Sequence, residues 1–455
     1  MAVNLSRNTR VFFTTLDRTV DNPLTGFLNT NTYEIKVMDG YSFSQSTEQQ
    51  TITLSEAGTA PIRGERSFNS KINPVEWSLS TYIRPYLSGT VTAPEKYLWN
   101  AAMGSTPINT TSYAVAIGGA VRSGTGTVAD PWKLSVTGAA GAFTGLGVGD
   151  AVELTGMLPA AMNGIWPILT WTSATQVILD FGGIDPAGAS NTQAGTAKTG
   201  SWYETASKAT SSTVGSNKNQ LEKFGLVFKV DNTYYKVHNC AVNQAEVSFD
   251  LQGIAMIAWS GFGTELAEIT DSGAKSALDA LTFPSTADNY ITNKLSTTTV
   301  QAQIGGGGTT YTVPITGGNL TINNNIEYIT PENLGDINKS IGYFTGSRSI
   351  TGALNAYLKT GANESGTLLA NIVSGLATSS ETKYKLQIEV GGISNPTRVE
   401  LKMDGCQLQV PTVEIQDVVS TTINFTAQGF HSIGGAGVYE IGKTNNLVVS
   451  YYGVA

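Results

Sequence analysis

The feature that most constrains this chain is an internal repeat. Thr32-Tyr-Glu-Ile-Lys-Val-Met-Asp-Gly40 recurs as Thr310-Tyr-Thr-Val-Pro-Ile-Thr-Gly-Gly318, and Leu79-Ser-Thr-Tyr-Ile83 recurs as Leu354-Asn-Ala-Tyr-Leu358. Both carry apolar residues at every second position, the period of a strand with one buried face. A helical stripe follows in each half. Tyr97, Leu98, Ala101 and Ala102 are answered by Leu368, Leu369, Ile372 and Val373, with Thr92-Ala-Pro94 as a start signal and Gly104 and Gly375 as matching stops. Lys223 to Val230 then matches Lys383 to Val390, and Cys240 to Gly263 matches Cys406 to Gly429 without a gap. The last match pairs Val247 with Val413, Phe249 with Ile415, Ile257 with Ile423 and Trp259 with Phe425. Five matches in one order, each keeping its period, imply a duplicated unit of strand, strand, helix, strand, strand. A chain of this kind folds as two copies of one mainly β topology.

The spacing also reveals an insertion, because between helix and third strand the first half is far longer than the second. Residues 113–218 are expected to form a small β domain, with Pro131 to Val136, Asp150 to Thr155, Ile165 to Leu169 and Gln176 to Asp180 as short strands between Gly-rich turns. Its end, Thr205 to Asn219, has the polar composition of a linker. The expected division is therefore 1–112 plus 219–264 as a discontinuous first domain and 113–218 as the insert. Residues 265–290 are a join with a short helix around Ala274 to Leu281, and 291–455 are the second domain with a C-terminal arm.

Composition excludes several function classes. Charged residues are 14% of the chain against about 25% in a typical domain, and a net charge of −8 opposes the clustered basic surface that gripping nucleic acid requires. The N-terminus, Met1-Ala-Val-Asn-Leu-Ser-Arg7, lacks the pattern of a secretory leader, so cytoplasmic synthesis and no membrane insertion are expected. Cys240 and Cys406 then read as small buried hydrophobes rather than a disulfide. No catalytic residue, cofactor or metal site is expected. His238 and Cys240 lack a second ligand pair at zinc spacing. Gly305 to Gly308 lie between strands rather than before a helix, Gly273-Ala-Lys-Ser276 lacks the upstream Gly of a phosphate loop, and there is no G-x-S-x-G elbow.

Two polar features remain. Gln244, Glu246, Ser248 and Asp250 alternate with Val247, Phe249 and Leu251, the latter expected in the core, and the matching strand offers Thr412, Glu414 and Gln416. Neither polar face carries Lys or Arg, although an ordinary wet strand would look the same. Ser44 to Arg66 reads as a polar loop too long for a simple connection.

Arg7-Asn-Thr-Arg-Val-Phe12, Glu76-Trp-Ser-Leu-Ser-Thr-Tyr-Ile83, Asn243-Gln-Ala-Glu-Val247, Trp259-Ser-Gly261 and Ile315-Thr-Gly-Gly-Asn-Leu-Thr-Ile-Asn-Asn-Asn-Ile326 together resemble the duplicated tail-tube proteins of T-five-like siphophages. The resemblance implies two tandem tail-tube β-sandwich domains, each with a flanking helix. It implies a structural subunit of a non-contractile tail tube, not an enzyme, in which three copies close a ring of six domains and rings stack into a conduit for the genome. The partners implied are further copies, the tape measure, terminator and baseplate proteins, and DNA in transient non-specific passage; the place implied is the virion tail. On this reading Gln244, Glu246, Asp250, Glu414 and Gln416 are candidates to face the lumen, and Ser44, Glu48, Glu56, Arg63 and Arg66 to contact neighbouring subunits or rings. A baseplate or distal-tail ring protein is the alternative within phage tails, and an all-β adhesin or receptor-binding module the alternative outside them.

Overall fold

In the computed structural model, the structure describes residues 9–17, 27–28, 30–53, 65–84, 86–88, 90–92, 95–103, 111–117, 123–125, 132–143, 151–155, 164–182, 194–199, 202–204, 221–251, 253–281, 291–302, 309–330, 340–375, 383–391, 398–414, 419–428, 432–433, 438–439 and 447–452. The chain opens with β1 (Thr9–Thr14), β2 (Thr32–Ile35), β3 (Ser42–Thr53), β4 (Glu65–Tyr82), β5 (Tyr86–Ser88), β6 (Thr90–Thr92) and α1 (Lys96–Met103). Six strands follow: β7 (Thr111–Ile117), β8 (Trp132–Gly138), β9 (Ala151–Thr155), β10 (Gly164–Ser173), β11 (Gln176–Gly182) and β12 (Ala194–Thr199). Next come β13 (Trp202–Glu204), β14 (Phe224–Val230), β15 (Thr233–Asp250), β16 (Met256–Gly263), β17 (Glu265–Glu268) and α2 (Ser272–Ala280). The remainder comprises β18 (Thr297–Ala302), β19 (Thr310–Thr312), β20 (Ile315–Asn323), β21 (Ile326–Ile329), β22 (Gly342–Thr345), β23 (Ser349–Tyr357) and α3 (Ser365–Gly375). It ends with β24 (Tyr384–Val390), β25 (Arg398–Leu408), β26 (Thr412–Glu414), β27 (Ser420–Gln428), β28 (Ser432–Ile433), β29 (Val438–Tyr439) and β30 (Val448–Tyr452). The protein is mainly β.

The hydrogen-bonded strand order is the same at both ends of the chain. Neighbours run β2-β1-β14-β15-β16-β4-β3 in the first set and β19-β18-β24-β25-β27-β23-β20 in the second, all antiparallel. Even an irregularity recurs. The register slips between Phe224 and Leu226 beside Cys240, and again between Tyr384 and Leu386 beside Cys406. A bulge bends a strand and raises its twist, which suits β15. Its first part pairs with β14 and its second with β16, so one strand serves two layers. Between those layers Phe224 meets Trp77 edge-on at 5.9 Å and Phe228 stacks on Phe43 at 4.6 Å. Both cysteines are buried, and neither is in a disulfide.

One cross-strand position shows how the two sets stay equivalent while their side chains differ. Trp77 of β4 lies opposite Gly261 of β16, whereas Gly352 of β23 lies opposite Phe425 of β27. A Cβ on Gly261 would sit 2.6 Å from the Trp77 ring, and one on Gly352 would sit 2.4 Å from the Phe425 ring. Each glycine makes the space its partner's ring occupies, and the large residue has changed strands. Close packing forces such exchanges, because a site holds one large ring or the other but not both. The ladder also corrects the gapless alignment. With Trp77 and Gly352 equivalent, Phe425 takes the place of Gly261 and Ile423 that of Trp259, a slip of two residues that keeps every side chain on its face because the strand period is two.

Residues 111–199 hold a closed antiparallel barrel in the order β10-β11-β8-β7-β12-β9. Its own core contains Leu134, Val136, Phe143, Val152, Leu154, Val177, Leu179 and Phe181. Thr111 and Thr199 are cross-strand partners, so the chain enters and leaves the barrel at adjacent points. Immediately after it, β13 pairs with the C-terminal strand β30 rather than with the barrel.

Four expectations need correction. Thr32 to Gly40 is a strand only over Thr32–Ile35. Ser44, Glu48 and Arg66 stand in paired strands rather than in a loop, because β3 and β4 form one long hairpin that keeps its backbone bonded while exposing both faces beyond Ser46. Leu251 is 50% exposed, because β15 ends at Asp250 and turns there, Gly253 N–H donating to Asp250 Oδ1 at 2.5 Å. On α3 only part of the stripe is covered: Leu368 and Ile372 are buried but Val373 is 50% exposed.

Candidate functional site

The two strand sets join edge to edge. Gln244 to Asp250 of β15 pair with Asn323 to Gly317 of β20, giving a continuous run of strands β3-β4-β16-β15-β20-β23-β27-β26. Alternation divides this run into two faces. Trp77, Leu79, Val247, Ile257, Trp259, Leu320, Ile322, Ile350, Leu354, Ile423 and Phe425 point into the core. The opposite face carries Ser42 and Ser44, Glu76, Ser78 and Ser80, Gln244, Glu246, Ser248 and Asp250, Asn319 and Thr321, Thr351 and Asn355, and Thr422, Asn424 and Thr426. It is a Ser/Thr/Asn wall with acidic residues. No Lys or Arg occurs in residues 40–46, 75–82, 240–250, 256–263, 315–323, 349–357, 412–414 or 420–428. Within the run, Arg66 and Lys71 stand in the outer part of the β3–β4 hairpin, and further basic residues, Lys229, Lys236, Lys385 and Lys402, lie in the β14–β15 and β24–β25 pairs.

The wall is held by short polar contacts. Asn319 Nδ2 donates to Glu246 Oε1 at 3.2 Å, Ser42 and Ser78 hydroxyls lie 2.8 Å apart, and Thr422 donates to Asn355 Oδ1 at 3.1 Å. Such cross-strand pairs contribute roughly 0.2–1 kcal/mol each. Chemically, the described residues of this surface can hydrate and repel anions.

Gln244, Glu246 and Asp250 thus stand on one strand face, Glu246 partly covered by Asn319 and Asp250 exposed at the strand end. The backbone of Glu414 lies in β26, while its side chain and all of Gln416 fall outside the described residues. Of the hairpin residues, Glu48 accepts an ion pair from Lys71 at 3.4 Å, Arg66 is exposed opposite Ile52, and Glu56 and Arg63 lie outside the described residues. Among the described residues no group of three His, Cys, Asp or Glu could hold a metal ion. No helix among them is long and apolar enough to cross a membrane.

Sequence reasoning missed the clasp between the two strand sets. Asn324 Nδ2 donates to the carbonyls of Ala102 and Val242, both at 3.0 Å, and Arg348 donates to Met103 O and Asn324 Oδ1, also at 3.0 Å. These groups satisfy the last carbonyls of α1 and place a cation at its negative end. The signal was the Asn323-Asn324-Asn325 run itself, polar residues where the strand pattern stops, with Asn325 at φ 48°. At the other end of α1, Trp99 Nε1 donates to the Tyr451 hydroxyl at 2.8 Å, which donates to Glu95 Oε1 at 2.6 Å. Complete burial pushes the Glu95 carboxyl up to about 7, opposed by the Tyr451 hydrogen bond. The C-terminal strand is thereby tied to the first helix.

No family model matches the chain. Among curated proteins, the chain is 27% identical over 467 aligned residues to the tail tube protein pb6 of Escherichia phage T5, covering 99% of this chain and 79% of that protein.

Proposed function

We propose that this chain, a T5-like tail tube protein and a component of the virion tail, forms the wall of a non-contractile tail tube, with the cation-free face of its joined sheets turned to the passing genome. The observation that carries the reading is the edge-to-edge junction of β15 with β20, which makes two sheets one continuous surface with a single polar, acidic face. DNA must slide past such a wall without being gripped, and a surface lacking Lys and Arg neutralises no phosphates, so it displaces none of the counterions condensed on the DNA.

In this reading residues 1–112 with 219–264, and residues 291–455, are two tandem tube domains, and residues 265–290 join them. Residues 113–218 are an accessory domain carried on the exterior, apart from β13, which serves the tube body. Gln244, Glu246, Asp250, Glu414 and Gln416 face the lumen, and the β3–β4 hairpin with Ser44, Glu48, Glu56, Arg63 and Arg66 reaches a neighbouring subunit or ring. Three chains supply six tube domains per ring, rings stack head to tail, and tape measure, terminator and baseplate proteins meet the tube in the assembled tail. The role is structural, without catalysis.

Electron microscopy of the purified protein tests this directly. Hollow tubes or six-lobed rings with a stain-filled lumen are expected. A protein that stays monomeric across a wide concentration range, or assembles without a lumen, overturns the reading.

A further inference from the structure

The pairing of β15 with β20 does not by its own pattern settle which residues stand opposite. Val247 lies against Leu320 and Phe249 against Gly318. Sliding the second strand set by two residues would put Val247 against Ile322 and Phe249 against Leu320, apolar against apolar, with every side chain still on its face. On the polar face Glu246 would meet Asn323 in place of Thr321. β20 also carries Gly317 and Gly318, and Gly-rich strands specify register weakly. Phe249 packs over Gly318, where a Cβ would lie 3.0 Å from its ring, but a side chain that can change rotamer holds a register only loosely.

The duplication shows which residues are particular to the junction. With Trp77 equivalent to Gly352, the strand pairings make Phe43 equivalent to Leu320 and Gln45 to Ile322. The first set therefore has Thr47 where the second has Asn324, and Asn73 where the second has Arg348. Thr47 is exposed, and Asn73 Nδ2 donates to Ser46 Oγ within the same hairpin at 3.0 Å. The two domains thus fold alike without an Asn and an Arg at these places.

We infer that Asn324 and Arg348 set the register of the β15–β20 junction, and with it the level of one strand set against the other. Asn324 is 2% exposed. Its backbone N–H donates to Asn243 O at 2.8 Å, its Nδ2 donates to the carbonyls of Ala102 and Val242, and Arg348 donates to Met103 O and to Asn324 Oδ1. Beside them Ile326 N–H donates to Asn243 Oδ1 at 2.8 Å. These bonds tie β20 to two places of the first set at once, the end of α1 and the middle of β15. A slide of two residues would carry the donors about 7 Å from their acceptors and strand the last carbonyls of α1 without partners, which is costly in a buried place. The ladder tolerates several registers, and the clasp is complete in the observed one. Asn324 and Arg348 are in this sense positioning residues. In the tube they would keep the two domains of one chain level, so that the cation-free face runs on without a step. That consequence rests on the tube reading, whereas the register itself belongs to the single chain.

Two cysteine pairs in the full chain read the register. Ser248→Cys with Asn319→Cys places thiols directly opposite in the observed ladder. Ser248→Cys with Thr321→Cys places them on a diagonal, roughly 7–8 Å apart and beyond disulfide reach until the second set slides. The native Cys240 and Cys406 are buried. In a glutathione buffer, with free thiols counted by mass after alkylation, the opposite pair should close about tenfold faster or more than the diagonal pair. Adding Asn324→Ala with Arg348→Met should cut that ratio by about tenfold. Loss of stability alone would change both rates together and leave the ratio. Where the combined substitutions unfold the chain by circular dichroism, Arg348→Met alone, at a half-buried position, should lower the ratio in the same direction, and Arg348→Lys should restore part of it. An unchanged ratio in folded Arg348→Met protein overturns the inference. Failure of the unsubstituted chain to form rings or tubes would instead overturn the tube reading, and leaves the register measurement standing.

Discussion

The exchanged ring at Gly352 and Phe425 yields a double-mutant cycle whose outcome depends on the two strands being packed as described. Gly352→Ala adds one methyl whose Cβ would lie 2.4 Å from the Phe425 ring and 2.3 Å from the Asn319 carbonyl oxygen, so something must shift by about 1 Å to reach ordinary contact. Overpacking of this kind costs roughly 1–3 kcal/mol. Phe425→Ala instead empties a site where the ring is 2% exposed, and removal of a buried aromatic costs roughly 3–5 kcal/mol. In the double variant the alanine methyl enters the vacated ring space, but the Asn319 oxygen still opposes it, so relief is partial. The double variant should therefore be about 0.5–2 kcal/mol less destabilised than the sum of the singles. Urea unfolding followed by tryptophan fluorescence measures all four corners of the cycle. Additivity within about 0.5 kcal/mol would show that the ring does not fill the glycine's space.

Three further outcomes follow from the same structure. Glu95 has its folded carboxyl pushed up to about 7 from an ordinary 4.5, so the fold favours the protonated acid. Its stabilisation is full below pH 4.5, declines as the pH rises, and is lost above 7, a swing of about 3 kcal/mol at 1.36 kcal/mol per unit. Relative to Glu95→Gln, the unsubstituted chain should therefore lose urea stability between pH 4.5 and pH 8, and parallel pH profiles would contradict the assignment. Replacing residues 113–198 with a short Gly/Ser linker, which preserves β13, should leave assembly intact and remove outward knobs in micrographs, since the barrel has its own core and adjacent ends; a folded but non-assembling product places the barrel in the tube wall. Assembled protein should bind duplex DNA no more tightly than about 10⁻⁶ M at physiological salt, whereas Glu76→Lys with Glu246→Lys should tighten binding and steepen its salt dependence, as read by fluorescence anisotropy.

Much of this molecule is legible in its residues because the relevant forces are local and periodic. Alternation in Val75, Trp77 and Leu79, and in Ile423 and Phe425, dictates one buried face whatever the partner strand is, and duplication doubles the evidence for each element. Composition alone places a cation-free polar face on Gln244 to Asp250. Register is another matter. A two-residue slip leaves the hydrophobic pattern unchanged, so only the ladder, with Gly261 against Trp77 and Gly352 against Phe425, determines which residues are equivalent. The β3–β4 hairpin was illegible for the opposite reason: its outer half is exposed and mostly polar, with Ile52 and Phe68 too few to show a period, and backbone pairing, which leaves no side-chain pattern, makes it a strand. The tying of Tyr451 to Glu95 and of Arg348 to Met103 spans hundreds of residues of chain. Such contacts depend on where the finished sheets place their ends in space, which sequence periodicity does not encode and close packing decides.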